Sequence, residues 1–349
     1  MDIEISHRKI GPNHPVFIVA ELSANHVHDF NTAVASIKAI KESGADAVKV
    51  QTYTPDTMTI DVDNEIFKIK NTGLWDGQTL YNLYKDAHMP WDWQPKLKKL
   101  AEDLGLIFFS TPFDQSAVDF LEKLEVPAYK IASFEISDIP LIEYIASKGK
   151  PIIISTGIAD LSDIKSAVKA CKKEGNEKII LLKCTSSYPA PYEEINLKVI
   201  PDLMKKFKTI AGLSDHTLGT YIPVAAVALG ASVIEKHFIL DRKLGGPDSA
   251  FSLEPDEFRS MVISVRNTQK ALGKITYKLS KSAEKNKIFA RSLFAVKDIK
   301  EGKLFTTRNI KAIRPGFGLK PAYLSEIIGK RASINITRGT PLNMKLIST

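Results

Sequence analysis

The chain has 349 residues, 44% of them hydrophobic and 25% charged, with two cysteines and a formal net charge of +8. That length suits one large domain plus a small one, and the composition excludes a fibre or a disordered chain. No apolar run approaches the roughly 18 residues that span a bilayer, and "MDIEISHRKI" lacks the apolar stretch of a signal peptide, so a cytoplasmic protein with no membrane partner is expected.

Cys171 and Cys184 alone provide no disulfide framework and no closed structural zinc site. The basic residues are spread beside Glu and Asp, as in "KKEGNEK", and are not clustered with aromatics. An anionic small molecule is therefore a better use of the charge than nucleic acid, which is not expected as a partner.

In chain order, eight short apolar runs recur: "VFIVAEL" at 16, "AVKVQTY" at 47, "IFFSTPF" at 107, "AYKIASF" at 128, "PIIISTG" at 151, "IILLKCTS" at 179, "IAGLSDH" at 210 and "SVIEKHF" at 232. Near-continuous apolar runs predict parallel strands buried on both faces. Helix-period segments separate them: Val34, Ile37 and Ile40; then Ile164, Val168 and Cys171; then Phe258, Met261, Val262 and Val265. Eight alternating units predict an α/β chain with a (β/α)8 TIM barrel over 1–273. A doubly wound sheet is less well supported, because "SANHVHD" after the first strand is not a glycine-rich dinucleotide loop. The long gap before residue 107 predicts an insertion over 52–93, carrying Trp75, Trp91 and Trp93, above the C-terminal face where barrels bind ligands.

From 274 the pattern changes. Residues 274–285 read as a polar linker and 286–349 as a small β-rich domain with a faint repeat, "DIKEGKLF" at 298 and "NITRGTPL" at 335. At roughly 60 residues such a domain is marginal alone.

The strand ends carry the chemistry. Glu21, Lys49, Gln51, Ser110, Thr111, Lys130, Ser133, Glu135, Ser155, Thr156, Thr185, Ser186, Ser187, Ser214, Asp215, His216, Glu235, Lys236 and His237 all fall at or just beyond the C-terminal ends of the eight strands, and are expected to converge on one mouth. Lys49 and Lys130 among hydroxyls suit an anion such as a phosphate with a carboxylate, although a strand-end lysine can also simply pair with a glutamate. His216 and His237 end neighbouring strands; two neutral imidazoles with a carboxylate suit a divalent ion of the manganese or zinc type, against the plainer reading of two hydrogen-bonded core histidines. Asn25 and His26 could join the mouth, whereas His28 and His88 are expected at the surface. Arg314 stands in a glycine-flexed "RPGFGLKP" loop of the small domain.

The motifs "AELSANH", "KVQTYTPDT", "FFSTPFD", "YKIASFEI", "STGIA", "CTSSYPAP", "GLSDHTLG", "EKHF", "GGPDSAFSLEP" and "RPGFG", in this order over nearly the whole chain, resemble the sialic acid (nonulosonic acid) synthase family. Within it, "LSANH", "YTPDT", "GLWDG", "LYNLYKDAHMPW" and Ser249 after "GPD" look most like the pseudaminate branch. The resemblance implies condensation of phosphoenolpyruvate with an open-chain 2,4-diacetamido-2,4,6-trideoxy-altrose, with N-acetylneuraminate or legionaminate formation as the alternative. It also implies a divalent metal (Mn, Mg or Co) on His216 and His237, and phosphoenolpyruvate held by Lys49, Thr111, Lys130, Ser133, Ser186 and Ser214. Ser186 stands where the family often has asparagine. Glu21 and Glu135 would be the acid/base and water-positioning candidates, while Gln51, Tyr188 and Asp248 would face the acetamido sugar. The C-terminal piece would be an antifreeze-like (SAF) domain whose Arg314 reaches the partner's sugar in a domain-swapped homodimer. Asn71 and Trp75 are expected to discriminate between sugars.

Overall fold

Strand polarity sets the architecture: each apolar run pairs in parallel with the next, which requires a long crossover connection, usually a helix. In the computed structural model, which describes residues 2–70 and 75–348, the strands β3 (Phe17–Glu21), β4 (Ala47–Thr52), β5 (Ile107–Pro112), β6 (Tyr129–Ile131), β7 (Ile152–Ser155), β8 (Ile179–Cys184), β9 (Ile210–Asp215) and β10 (Val233–His237) close into one barrel, with β10 pairing back onto β3. Val233 lies opposite Phe17 and His237 opposite Glu21 in that closing ladder.

Strand alternation then sorts the side chains. Phe17, Val19, Ala47, Ile107, Phe109, Ile153, Ile180, Leu182, Ile210 and Val233 fill the barrel interior. Ile18, Val48, Val50, Phe108, Ile152, Ile154, Ile179, Leu181 and Ile234 face outward and pack against the helices. The helix Phe30–Glu42 starts where Asp29 accepts hydrogen bonds from the Asn31 and Thr32 amides, and it buries Ala33, Ser36, Ile37 and Ile40. Pro255–Leu272 buries Phe258, Met261, Val262 and Val265, the stripe its spacing predicts.

Two features depart from the sequence reading. A short antiparallel hairpin, β1 (Ile3–Ile5) and β2 (Arg8–Ile10), precedes the barrel, and its Ile3, Ile5 and Ile10 join the interior cluster. It plugs the end of the barrel opposite the catalytic candidates. Its strands are three residues long, too short for a periodicity to register. The stretch read as a linker over 274–285 contains a helix, Lys281–Lys285, capped by Ser280.

The chain divides into two compact units, Met1–Gly273 and Lys274–Thr349. In the second, β11 (Ser292–Ala295) pairs with β12 (Ile310–Ile313). The sequence repeat has a structural counterpart there. Ile299 and Ile336, equivalent positions of the two copies, exchange both backbone hydrogen bonds at 2.8 Å, and their equivalents Phe305 and Leu342 enter one core. Among the described residues, no helix is long and apolar enough to cross a membrane.

Candidate active site

The same parity that fills the barrel carries ionisable residues to its mouth. Two residues beyond Val19 stands Glu21; beyond Ala47 come Lys49 and Gln51; beyond Phe109, Thr111; beyond Ala128, Lys130; beyond Val233, Glu235 and His237. A cavity of about 240 Å³ opens above this layer, lined by Lys49, Gln51, Lys130, Ser133, Glu135, Tyr188, Ser214, His216, His237 and Asp248 among others. The insertion contributes Tyr53, Met58, Trp75, Leu83 and Tyr84 to its wall.

At the floor two cations and two carboxylates alternate. Lys49 Nζ lies 2.6 Å from Glu21 and 3.7 Å from Glu235, and Lys130 Nζ lies 3.7 Å from Glu235. Lys49 also donates to Thr111 Oγ1 at 3.3 Å, and Ser214 Oγ donates to Glu235 at 3.0 Å. Lys130 donates to the Ile131 carbonyl at 3.0 Å and to Ser155 Oγ at 2.7 Å. Gln51 Nε2 donates to Glu21 at 3.2 Å and to Ser23 Oγ at 3.0 Å. Burial pushes the Glu21 carboxyl up to about 7 despite Lys49, with Glu235 adding to the rise. Burial lowers Lys130; it opposes the charge on Lys49 too, but the neighbouring Glu21 and Glu235 outweigh it and hold Lys49 above the ordinary lysine range. Removing one member of such a buried cluster strands its partner, typically at about 3–5 kcal/mol.

A hydroxyl cradle adjoins the lysines. Ser186 Oγ donates to Ser133 Oγ at 2.8 Å, and Ser133 Oγ accepts from the Ile158 amide at 3.2 Å. Gly157 keeps that cradle open. A Cβ there would sit 2.2 Å from Ser186 Oγ and 2.3 Å from Ser133 Oγ. Gly157 lies within the "STGIA" stretch, and strand-to-helix glycines are too common for the sequence to single one out. Ser155, noted only as a strand end, is the hydroxyl that holds Lys130 in place.

Glu135 stands in the turn Ser133–Glu135 just past β6. Burial raises its carboxyl to about 7, Lys130 opposing, and its Oε2 is buried without a hydrogen-bond partner among the described residues. The folded value lies above the unfolded 4.5, so the folded state holds the extra proton and stability falls as pH rises between those values. Glu135→Gln is expected to leave stability near pH 4.5 unchanged and to raise it by about 2–3 kcal/mol at pH 8. Denaturant titrations of both proteins at the two pH values read this; an equal effect at both would contradict it.

The two histidines face each other across the β9–β10 end, with ring centroids 5.3 Å apart. His216 Nδ1 lies 2.9 Å from the Thr185 carbonyl. A carbonyl can only accept, so that nitrogen carries a proton, and in the neutral ring Nε2 keeps the lone pair. His237 Nδ1 is buried without a hydrogen-bond partner among the described residues, with Asp248 Oδ2 at 3.9 Å. Burial, His216 and the nearby lysines push His237 well below the ordinary imidazole range. Two imidazoles, one with its second nitrogen anchored to a carbonyl and one with an orphaned buried nitrogen, fit a divalent ion. Among the described residues no group of three His, Cys, Asp or Glu is arranged to hold one. Tyr188 packs on His216 with centroids 4.5 Å apart, and Trp75 Nε1 donates to the Pro247 carbonyl at 3.2 Å, tying the insertion to the Asp248 loop.

Several expectations are corrected. Lys236 and Asp215 do not reach the mouth; they face outward from the barrel and pair with each other at 2.6 Å. Ser110 bonds Thr52 at 2.6 Å, and Thr156 bonds the Leu182 carbonyl, both away from the cavity. Asn25 donates to the Phe238 carbonyl and to Ser252, and His26 packs edge-on against Trp93, so neither lines the cavity. Asn71 lies outside the described residues. Arg314 belongs to the second unit.

A closed parallel barrel with lysines, hydroxyls and paired imidazoles at its C-terminal mouth defines the class, and the sequence profile of the NeuB family matches residues 36–277: the chain belongs to the NeuB family, a sialic acid synthase family, with a SAF domain matched over 290–347. It is 49% identical over 327 residues to the pseudaminic acid synthase of Campylobacter jejuni, covering 94% of this chain and 95% of that protein. It is 38% identical to the N,N'-diacetyllegionaminic acid synthase of Legionella pneumophila, covering 97% of this chain and 98% of that protein. The crystal structure of N-acetylneuraminic acid synthetase from Leptospira borgpetersenii in complex with citrate superposes with a TM-score of 0.73 at 35% identity, over 82% of this chain and 95% of that one.

Proposed function

We propose that this chain is a pseudaminic acid synthase, a transferase that condenses phosphoenolpyruvate with 2,4-diacetamido-2,4,6-trideoxy-L-altrose and releases phosphate. The observation that carries the choice of sugar is the 49% identity to a pseudaminic acid synthase, against 38% to a legionaminic acid synthase, at similar coverage. The mouth is chemically suited to the reaction. Lys49, Lys130 and the Thr111, Ser133, Ser186 and Ser214 hydroxyls form a preorganised cradle for the phosphate and carboxylate of phosphoenolpyruvate.

His216 and His237 would hold a divalent ion, which when bound supplies Lewis-acid polarisation of the sugar aldehyde. The balance of the reaction is simple. A bond forms between C3 of the enol phosphate and the aldehyde carbon, whose oxygen gains a proton; water adds to C2, and the C2–O bond to phosphate breaks. No electrons enter or leave. Glu21 and Glu135, each with a carboxyl near neutrality in its buried setting, can hold or release a proton at the pH where the chemistry runs. Gln51 and Tyr188 shape the floor and wall on the sugar side, and Asp248 accepts from the Ala24 amide at 3.4 Å, which fixes its carboxylate at the rim. Phosphate release that depends on the added sugar, with a nine-carbon product in the mass spectrum, tests the proposal.

A further inference from the structure

The Lys236–Asp215 pair is an anomaly for a buried position. Both side chains are at most 1% exposed, on the outer face of the barrel, where neighbouring strand positions carry Ile234 and Leu213. Replacing such a pair by apolar residues is often neutral or stabilising, so stability alone is weak reason for it. Its position is informative. Asp215 directly precedes His216 and Lys236 directly precedes His237, and the two are partners in the β9–β10 ladder.

Their hydrogen bonds reach further than the pair. Asp215 Oδ1 accepts from the Thr217 amide at 3.0 Å and from Thr217 Oγ1 at 2.9 Å, closing a tight turn around His216. Lys236 Nζ donates across the strand gap to the Thr217 carbonyl as well as to Asp215. One ammonium on β10 therefore grips both ends of the turn that presents His216, while the next residue along β10 is His237. The backbone on the cavity side is pinned too: the Ala190 amide donates to the His216 carbonyl at 3.1 Å and the Leu253 amide to the His237 carbonyl at 3.0 Å.

We infer that Lys236 and Asp215 are positioning residues, a clamp on the outer barrel face that fixes the spacing and orientation of His216 and His237 for a divalent ion. This rests on the reading of those histidines as the metal pair. Groups that orient metal ligands from behind commonly change metal affinity by about 10- to 100-fold when removed. A merely structural pair would change unfolding and leave the affinity of the folded protein as it was.

The experiment measures Mn²⁺ binding by the electron paramagnetic resonance signal of the free ion, well below each protein's melting temperature. It compares the full chain, Lys236→Met, the charge-neutral Asp215→Asn/Lys236→Met, and His216→Ala/His237→Ala. The neutral double variant leaves no unpaired buried charge, so it tests the clamp even where Lys236→Met does not fold. Expected is strong binding by the unaltered chain and binding about 10- to 100-fold weaker in the folded clamp variants. A folded clamp variant with undiminished affinity overturns the clamp alone. If the unaltered chain binds no better than His216→Ala/His237→Ala, the metal reading has failed and the clamp falls with it.

Discussion

Lys130→Met is expected to lower sugar-dependent phosphate release by about two to three orders of magnitude, the usual consequence of removing one preorganised donor from a site of developing negative charge. The geometry says why Lys130 should matter more than its neighbour. Lys49 is held at 2.6 Å by Glu21, so much of its charge is already answered within the protein. Lys130 has its nearest carboxylate at 3.7 Å and is oriented by neutral groups, Ser155 and the Ile131 carbonyl. Its charge is the one left for a ligand. Methionine keeps the stem's volume and apolar contacts and Lys49 remains 3.7 Å from Glu235, so thermal unfolding should show a folded protein, less stable than the original. The Michaelis constant for phosphoenolpyruvate should rise and turnover should fall. A folded Lys130→Met protein within tenfold of the original activity would remove Lys130 from the phosphate site.

The second large effect concerns the histidine pair. His216→Ala and His237→Ala are each expected to reduce turnover by about three orders of magnitude, close to 4 kcal/mol of transition-state stabilisation. Chelation should silence the unaltered chain, and added divalent ion should restore it; restoration should fail in the variants. The plain core reading of these residues predicts something else. Core histidines would destabilise the fold on truncation, yet chelator would have no effect on activity. Full activity of both variants with metal rigorously excluded would end the metal mechanism.

Much of this site was legible because the barrel puts strand ends in one place. Glu21, Lys49, Lys130, His216 and His237 could be picked out as ionisable residues closing apolar runs, and all five line or floor one cavity. What the runs conceal is parity. A strand buried on both faces has no polar–apolar alternation to say which side chains point inward. Lys236 and Asp215 therefore looked like mouth residues, although one step along each strand sends them to the helix side. The interior layer below them, Val233 on β10 and Ile210 on β9, fixes the parity once the fold is known. Gly157 and Ser155 escaped for a different reason: their roles are to leave space and to orient a neighbour, and neither leaves a mark in a single sequence. The N-terminal hairpin was invisible because three-residue strands carry too few positions for a pattern. In the second unit the repeat did show, and the pairing of Ile299 with Ile336 explains why two copies were needed: each supplies the other's backbone partner.

The most direct test of the central claim is a one-pot competition. The protein, with divalent ion and phosphoenolpyruvate, is given equal concentrations of 2,4-diacetamido-2,4,6-trideoxy-L-altrose, its legionaminate-forming counterpart and N-acetylmannosamine. Products are resolved by chromatography and mass. The altrose derivative should be consumed first and yield pseudaminic acid with one phosphate per product. Preferential turnover of N-acetylmannosamine or of the legionaminate precursor, with the altrose derivative left intact, would contradict it.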